Sequence, residues 1–237
     1  MKPVAVFQHC HNVQPGHFAS FLDQHRIPWQ LFAVDRGDTL PTDIEAFSGL
    51  CFMGGAMSVN DDLPWIPQEL SLIRQAIATE VPVIGHCLGG QLMSLALGGE
   101  VTRNPVKEIG WGRVEASDIA EARDWLGDTS AFDAYQWHGE TFSLPEGSVR
   151  ILGGEYCANQ AYVLDDMHLG MQFHIEMTEA LIADWNEGWA DECSSEKFLP
   201  PSIQTTAQQL AEMPRSLPRM RSVAERLYSR WIQGLRH

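Results

Sequence analysis

Two short segments of this 237-residue chain carry side chains that could act together on one bond. In GHCLGGQ, Cys87 follows an apolar run that ends at Gly85 and precedes a helical pattern. In FHIE, His174 and Glu176 are two residues apart. A thiol, an imidazole and a carboxylate are the groups with which cysteine hydrolases attack a carbonyl carbon. The two segments therefore predict Cys87 as nucleophile, His174 as base and Glu176 as the residue that orients the base.

The surroundings of Cys87 favour a reactive thiol. Small residues on either side permit a sharp strand-to-helix turn of the nucleophile-elbow type. Backbone N–H groups at the start of the helix would favour a thiolate and could hold an oxyanion. The alternative is that Cys87 is a small buried apolar residue and that the glycines only permit close packing. A base elsewhere in the chain is needed to decide.

The FHIE segment supplies that base. The apolar residues LGMQF before His174 predict a strand of the same sheet. On an extended backbone, His174 and Glu176 would point to the same side. The carboxylate could then hold one imidazole tautomer while the other ring nitrogen faces the thiol. Alone, this pair would indicate a surface His and Glu at a strand end; together with the elbow it favours catalysis.

The first hundred residues contain the elements that would position Cys87. Strands are predicted at Val4–Phe7, Trp29–Val34, SGLCFMGG and Val81–Gly85, and helices at Gly16–Arg26, from Ile66, and from Leu88 to Ala96. This alternation predicts an α/β fold with a mostly parallel central sheet, helices on both faces and ligands at the carboxyl ends of the strands.

The remainder of the chain changes character twice. Shorter apolar pieces between about Val101 and Glu176 predict further strands, some extending the sheet and some forming hairpins over it. Beyond Met177, helical stripes follow, broken by FLPPS; they comprise Leu181, Trp185 and Trp189, and then Leu217, Met220, Val223, Leu227 and Trp231. We predict one domain over residues 1–177 and a helical C-terminal extension over residues 178–237 packed on it.

Composition limits the partners and the compartment expected for this protein. With 31 acidic and 16 basic side chains, the formal net charge of −15 disfavours nucleic acid. No apolar stretch approaches the roughly 18 residues that span a bilayer, and the N-terminus does not resemble a signal peptide, which predicts a cytoplasmic protein. Five scattered cysteines without a CxxC pair are predicted to be reduced thiols.

The motifs together resemble the class I glutamine amidotransferase family, in particular the amidotransferase domain of GMP synthetase. That family has a G-x-C-x-G-x-Q elbow and a later H-P-E, here GHCLGGQ and FHIE. FMGGAMSVND, KEIGW, QWHGETFSLPEG and EYCANQAY match in type and order, so the resemblance spans about Val4 to Glu176. It implies a flavodoxin-like fold and hydrolysis of a glutamine amide without metal or organic cofactor.

The resemblance also implies roles for further residues. Gly55 and Leu88 would donate the two N–H groups of an oxyanion hole. Gly54, Gln91, His138 and Gly139 would line the substrate site. Two departures stand out: Ala56 replaces the family's usual proline, and Ile175 replaces the proline of H-P-E. Neither removes a catalytic group, although both are expected to loosen the loops that hold the triad.

Three functions remain open. The first is a glutaminase that supplies ammonia to a synthetase on another polypeptide. The second is an independent hydrolase or peptidase that cleaves γ-glutamyl bonds of small molecules. The third, a non-catalytic binding protein, is disfavoured because all three triad residues are present. The substrate would be glutamine or another γ-glutamyl compound, and a homo-oligomer is left open.

Two other features carry alternatives. His9, Cys10 and His11 follow the first strand and could bind metal, but a pocket-lining role is favoured. The eight tryptophans, among them Trp65, Trp111 and Trp137, could cap a substrate channel, but large aromatic residues more often anchor a core.

Overall fold

The computed structural model describes residues 1–194 and 199–236 of the chain. The strands are β1 (Val4–Gln8), β2 (Trp29–Ala33), β3 (Gly49–Phe52), β4 (Val83–His86), β5 (Val101–Ala116), β6 (Ala131–Phe142), β7 (Val149–Gly154), β8 (Ala161–Leu164) and β9 (His168–Met171). The α-helices are α1 (Gly16–Gln24), α2 (Ile66–Ala78), α3 (Leu88–Ala96), α4 (Ala120–Leu126), α5 (Glu179–Gly188) and α6 (Thr206–Trp231). Short 3₁₀ helices cover Val34–Arg36, Ile44–Ala46, Ala190–Glu192 and Ile232–Gly234.

All nine strands form one sheet in the order β2-β1-β3-β4-β9-β8-β7-β5-β6. The first five are parallel, whereas β8, β7, β5 and β6 each run antiparallel to their neighbours. The predicted α/β fold class is therefore confirmed. The strands after Val101 all extend this sheet, so the expectation that some would form hairpins over it is wrong. β8, β7 and β5 each have a neighbouring strand on both sides, which pairs backbone groups that a separate hairpin would leave free, and β6 is the edge strand.

Helices cover both faces of the sheet, as predicted. Alternate residues of β1 belong to two different apolar clusters because side chains alternate across a strand. Val4 and Val6 pack in the cluster that includes residues of α1, α4, α5 and α6. Ala5 and Phe7 pack in the cluster that includes residues of α2 and α3. The parallel strands β1, β3, β4 and β9 between these layers are accordingly buried on both faces, whereas the edge strand β2 is partly exposed.

The C-terminal helices pack on the first of these clusters. The five predicted stripe residues from Leu217 to Trp231 are all buried in α6. The helix begins earlier than the stripe, because Thr205 and Gln208 form a capping box at its N-terminus. It also contains Pro214 and Pro218, each of which removes a backbone donor. Residues 199–202 form no helix between α5 and α6; Phe198, where the predicted break begins, lies outside the described residues.

A buried polar cluster ties these helices to the sheet. The Tyr135 hydroxyl of β6 donates to Oε1 of Gln209, and the Asn186 amide donates to the same oxygen at 3.0 Å. The indole N–H of Trp111 donates to the Gln209 backbone carbonyl at 3.0 Å. Every partner is buried, so loss of one would leave another unsatisfied. A domain boundary at residue 177 stays a prediction. No helix in the described ranges is long and apolar enough to cross a bilayer.

Candidate active site

Cys87 lies on a sharp turn between β4 and α3. It has φ 49° and ψ −104° and is the N-cap of α3. Such a conformation is costly for a residue with a Cβ and persists only where the surroundings enforce it. Here the Cys87 N–H donates to the Met171 carbonyl of β9 at 2.9 Å, and its carbonyl accepts from the Gln91 N–H at 3.0 Å. The turn predicted from the glycine pattern is thus held by a neighbouring strand and by the helix.

The glycines of the elbow permit close approach of the helix to the sheet. A Cβ on Gly85 would collide with the backbone of Gly89 and Gly90. A Cβ on Gly89 would collide with the Phe52 carbonyl, and one on Gly90 with the Met171 carbonyl. The glycines of the motif are therefore needed for the close backbone contacts between α3 and the ends of β3, β4 and β9.

His174 and Glu176 form a buried pair, with Nδ1 of the imidazole 2.7 Å from Oε1 of the carboxylate. The local backbone differs from the predicted strand, because β9 ends at Met171 and both residues lie in the turn that follows it. Strand alternation is therefore the wrong reason for the pairing. The turn itself is anchored by the His174 N–H, which donates to the Tyr135 carbonyl at 2.8 Å, and by the Glu176 carbonyl, which accepts from the His17 N–H at 2.8 Å.

The electrostatics of this pair favour an imidazolium. Burial alone lowers the pKa of His174, but the negative charges of Glu176 and of the Cys87 thiolate, with hydrogen bonds to both, raise it to about 10. Burial raises the pKa of Glu176, whereas the charge of His174 and hydrogen bonding lower it further than that. A buried carboxylate beside a histidine is the arrangement that retains the proton on the ring.

Gln172 is a site residue that the sequence analysis missed. Its side chain is fully buried, and its amide nitrogen lies 3.6 Å from the Cys87 sulfur. Its amide oxygen accepts from the Gln91 side chain at 3.3 Å. The same amide thus links the thiol to a predicted substrate contact. The only sequence signal was its position two residues before His174.

The glycine loop after β3 faces the imidazole and the start of α3. A Cβ on Gly54 would lie 2.6 Å from Cε1 of His174, and one on Gly55 would lie 2.8 Å from Cδ2 of Leu88. Leu88 is the first residue of α3, so its N–H has no intrahelical acceptor. The predicted oxyanion-hole residues are therefore neighbours across the elbow.

His9 supports this loop and does not line the pocket, contrary to the expectation for the His9-Cys10-His11 segment. Its Nδ1 lies 3.0 Å from the Met53 carbonyl, and its Nε2 lies 2.9 Å from Oε2 of Glu69. Both side chains are completely buried. Since a backbone carbonyl only accepts, Nδ1 is the donor, and the Glu69 carboxylate is the partner of the other nitrogen.

A cavity of about 270 Å³ opens beside the Cys87 thiol. Its walls include six of the predicted site residues, namely Gly55, Cys87, Gln91, His138, Gly139 and His174. Gly54, Leu88 and Glu176 lie behind this wall, where they contact or hold its members. The predicted residues are thus brought to one place in the fold.

Three residues of the C-terminal helices complete the cavity wall, and the sequence analysis did not predict them there. They are Trp185 of α5, Trp189 and Glu192. The Trp185 ring meets the His174 ring edge-on, with centroids 4.7 Å apart. Trp137, expected to be a core anchor, also lines the cavity and lies 5.9 Å from Trp185. A helical stripe cannot distinguish core tryptophans from those at a cavity, because both lie on the apolar face of the helix.

One cluster within the described residues has the side chains to hold a metal ion. It consists of Glu108, His138 and Cys157, whose donor atoms lie within 4.8 Å of one another. His138 is shared between this cluster and the cavity wall. Cys157 and Glu108 were not predicted as site residues.

Comparison with known proteins identifies relatives of this chain. A family model described as glutamine amidotransferase class-I matches residues 26–181. The crystal structure of a glutamine amido transferase from Methylobacillus flagellatus is similar, with a TM-score of 0.97 and 45% identity, over 100% of this chain and 96% of that one.

Curated relatives include proteins of different names. The glutamine-hydrolyzing GMP synthase of Ectopseudomonas mendocina is 32% identical over 152 residues, which are 60% of this chain and 28% of that protein. Gamma-glutamyl peptidase 2 of Arabidopsis thaliana is 23% identical over 171 residues, 70% of this chain and 69% of that protein. The chain therefore spans just over a quarter of the GMP synthase relative and about two thirds of the peptidase relative.

Proposed function

Because this chain belongs to the class I glutamine amidotransferase family, we propose that it hydrolyses a γ-glutamyl amide through a thioester on Cys87. The observation that carries the proposal is the buried His174–Glu176 pair beside a thiol on a strained elbow. The pair keeps a proton on the imidazole at neutral pH, which favours a thiolate partner. Amide hydrolysis by a thiolate needs both a nucleophile and a proton donor for the leaving nitrogen.

The first half of the reaction forms the thioester. The Cys87 sulfur attacks the carboxamide carbon, and the N–H groups of Gly55 and Leu88 receive the developing oxyanion. The closeness of these residues across the elbow supports that assignment. His174 gives its proton to the departing nitrogen as the C–N bond breaks, so ammonia or an amine leaves.

The second half returns the enzyme to its starting state. Water attacks the thioester carbon, His174 accepts a proton from that water, and the C–S bond breaks to release the γ-carboxylate. Glu176 stabilises the imidazolium in each half and orients the ring. In this proposal Gln91, His138 and Gly139 border the substrate from the cavity wall, and Gly54 supports the substrate site from behind that wall, against His174.

The names of two relatives point to two different fates for the nitrogen that leaves the substrate amide. Ammonia could pass to a separate synthetase, in keeping with the match to part of a GMP synthase. Alternatively the chain acts alone on γ-glutamyl compounds, in keeping with the similarity to a γ-glutamyl peptidase.

The test is release of ammonia or amine by the purified chain from glutamine and from a panel of γ-glutamyl peptides and amides. Cys87→Ala should abolish release and Cys193→Ser, at another buried thiol, should retain it. Mass spectrometry of quenched reactions should find a γ-glutamyl adduct on Cys87. Equal turnover by Cys87→Ala would overturn the proposal. Turnover only after a synthetase is added would favour the first fate over the second.

A further inference from the structure

Three side chains of different chemistry converge at His138, a residue of the cavity wall. Glu108 lies on β5, His138 on β6, and Cys157 between β7 and β8. All three are at least nine-tenths buried. Oε2 of Glu108 is 3.0 Å from Nε2 of His138, and the Cys157 sulfur lies within 4.8 Å of both.

Nε2 of His138 faces the Glu108 carboxylate but forms no hydrogen bond of ordinary geometry with it. Its Nδ1 lies 2.9 Å from the Glu140 backbone carbonyl, which can only accept, so the proton is on Nδ1. Nε2 makes no hydrogen bond within the described residues, although the Glu108 oxygen is 3.0 Å away, because that oxygen lies outside hydrogen-bond geometry. In the neutral ring, the lone pair of Nε2 faces a carboxylate oxygen, so a positive charge between the two groups, either a proton on Nε2 or a metal ion, is needed to make this contact favourable.

Neighbouring side chains hold the other two groups in place. The Gln160 amide donates to Oε2 of Glu108 at 3.0 Å, and the Gln136 amide donates to Oε1 of Gln160 at 3.1 Å. The Thr141 hydroxyl lies 3.2 Å from the Cys157 sulfur. Outer partners of this kind, together with a histidine whose Nδ1–H binds a backbone carbonyl, are typical of the surroundings of metal ligands.

We propose that Glu108, His138 and Cys157 form a binding site for a divalent cation of the Zn²⁺ type, distinct from the catalytic triad. A thiolate, an imidazole nitrogen and a carboxylate oxygen match the donors that Zn²⁺ takes in proteins. Magnesium and calcium prefer oxygen donors alone and do not fit this set. On binding, the Cys157 thiol loses its proton to solvent and the sulfur coordinates the metal, with water as the fourth ligand.

The location of the site gives it a consequence for the cavity. His138 belongs both to the cavity wall and to the cluster. A bound cation would therefore tie β5 and β6 to the segment that carries Cys157 and fix one wall of the cavity. The reaction proposed above needs no cation, so loss of the metal site would leave that proposal standing.

The experiment is a Zn²⁺ titration of the purified chain in competition with a chromophoric chelator. One equivalent should bind tightly to the parent and to Cys87→Ala, which removes the catalytic thiol as a ligand. Cys157→Ser and Glu108→Gln should bind at least about 100-fold more weakly, since even outer-shell changes cost 10–100-fold. The matched control is Cys193→Ser, because Cys193 is also buried beside a threonine hydroxyl, that of Thr206 at 3.4 Å.

A second measurement tests the proposal even if Cys157→Ser or Glu108→Gln does not fold. Co²⁺ bound to Cys87→Ala should show thiolate-to-cobalt charge-transfer absorption, whether or not Cys157→Ser can be purified. Absence of that absorption, absence of stoichiometric Zn²⁺ binding, or equal affinity in Cys157→Ser and Cys193→Ser would each overturn the proposal.

Discussion

The indole of Trp185 packs edge-on against the imidazole of His174, with an interplanar angle of 87° and ring centroids 4.7 Å apart. Trp185 belongs to α5, beyond the last strand, and its N–H donates to the Asn12 carbonyl at 2.7 Å. The C-terminal helices therefore touch the candidate base directly. They also connect it to the loop that follows β1.

Replacing Trp185 by phenylalanine is expected to lower kcat/KM by about 10-fold, because the smaller ring loses the hydrogen bond to Asn12 and leaves the His174 ring less constrained. Trp125→Phe is the matched control, since Trp125 is fully buried in α4 and donates to Asp166. It should change kcat/KM by less than about twofold. Steady-state kinetics with the substrate that the parent turns over fastest would measure kcat/KM of both variants. Equal losses in Trp185→Phe and Trp125→Phe would refute the role of Trp185 in positioning His174.

The His174–Glu176 pair predicts a pH dependence of stability. Burial lowers the pKa of His174, but the charges of Glu176 and Cys87 outweigh it and raise the pKa from 6.5 to about 10. Between those values the folded chain holds a proton that the unfolded chain has released. The stabilisation is therefore complete below about pH 6.5 and is lost as the pH rises towards 10.

Glu176→Gln removes the largest upward contribution to that pKa. The free energy of unfolding of the parent minus that of Glu176→Gln should decrease by on the order of 1 kcal/mol per pH unit above pH 7. Urea unfolding between about pH 6.5 and 9 measures this difference. For Glu179→Gln, an exposed residue at the start of α5, the difference should not vary with pH. A constant or growing difference for Glu176→Gln would contradict the argument.

Gln172→Leu tests the amide beside the thiol. The leucine keeps the approximate size but cannot donate to the Cys87 sulfur, so the thiolate should be less stable and its alkylation by iodoacetamide at neutral pH about 10-fold slower. Gln209→Leu is the control, because Gln209 is equally buried but bonded to Tyr135 and Asn186. That variant should lose stability while keeping the alkylation rate of its folded state. An unchanged rate in Gln172→Leu would exclude the role.

Gly54→Ala should reduce kcat at least about 100-fold with less effect on KM, because the new Cβ would lie 2.6 Å from His174 and displace the ring. Gly188→Ala is the control, since a Cβ at Gly188 meets no atom within 4 Å. Circular dichroism would verify that both variants fold. Full activity in folded Gly54→Ala would show that the loop adjusts at no catalytic cost.

Tyr228→Phe tests the contact of α6 with the elbow. The Tyr228 hydroxyl lies 3.0 Å from Nε2 of His86, the residue before the nucleophile, and both are completely buried. Burial lowers the pKa of His86 more strongly than the Glu176 charge raises it, so a neutral ring needs this partner. Loss of the hydroxyl should cost about 1–3 kcal/mol of unfolding free energy, measured by urea denaturation. A loss below about 0.5 kcal/mol would show that the contact is dispensable.

Local patterns predicted much of this architecture because they reflect local physics. The alternation of buried strands with amphipathic helices up to Gly99 predicted the parallel half of the sheet, and glycines around Cys87 predicted the elbow. Adjacent carboxyl ends of parallel strands then bring β4 and β9 together, although Cys87 and His174 are far apart in sequence. The pairing of His174 with Glu176 was predicted, but for the wrong local geometry, since a turn and not a strand brings the two groups together.

The sequence by itself determined the family, the fold class and the residue types available for amide hydrolysis, because motif spacing and hydrophobic periodicity depend on neighbours along the chain. Only the tertiary structure decided what lies around Cys87. The contacts of Trp185 with His174, of Tyr228 with His86 and of Gln172 with the thiol join segments whose separation in sequence carries no signal. The same holds for Glu108, His138 and Cys157, which meet only because β5, β6 and the β7–β8 segment share one sheet. Burial imposes these partnerships, since polar groups removed from water must find partners wherever the fold places them.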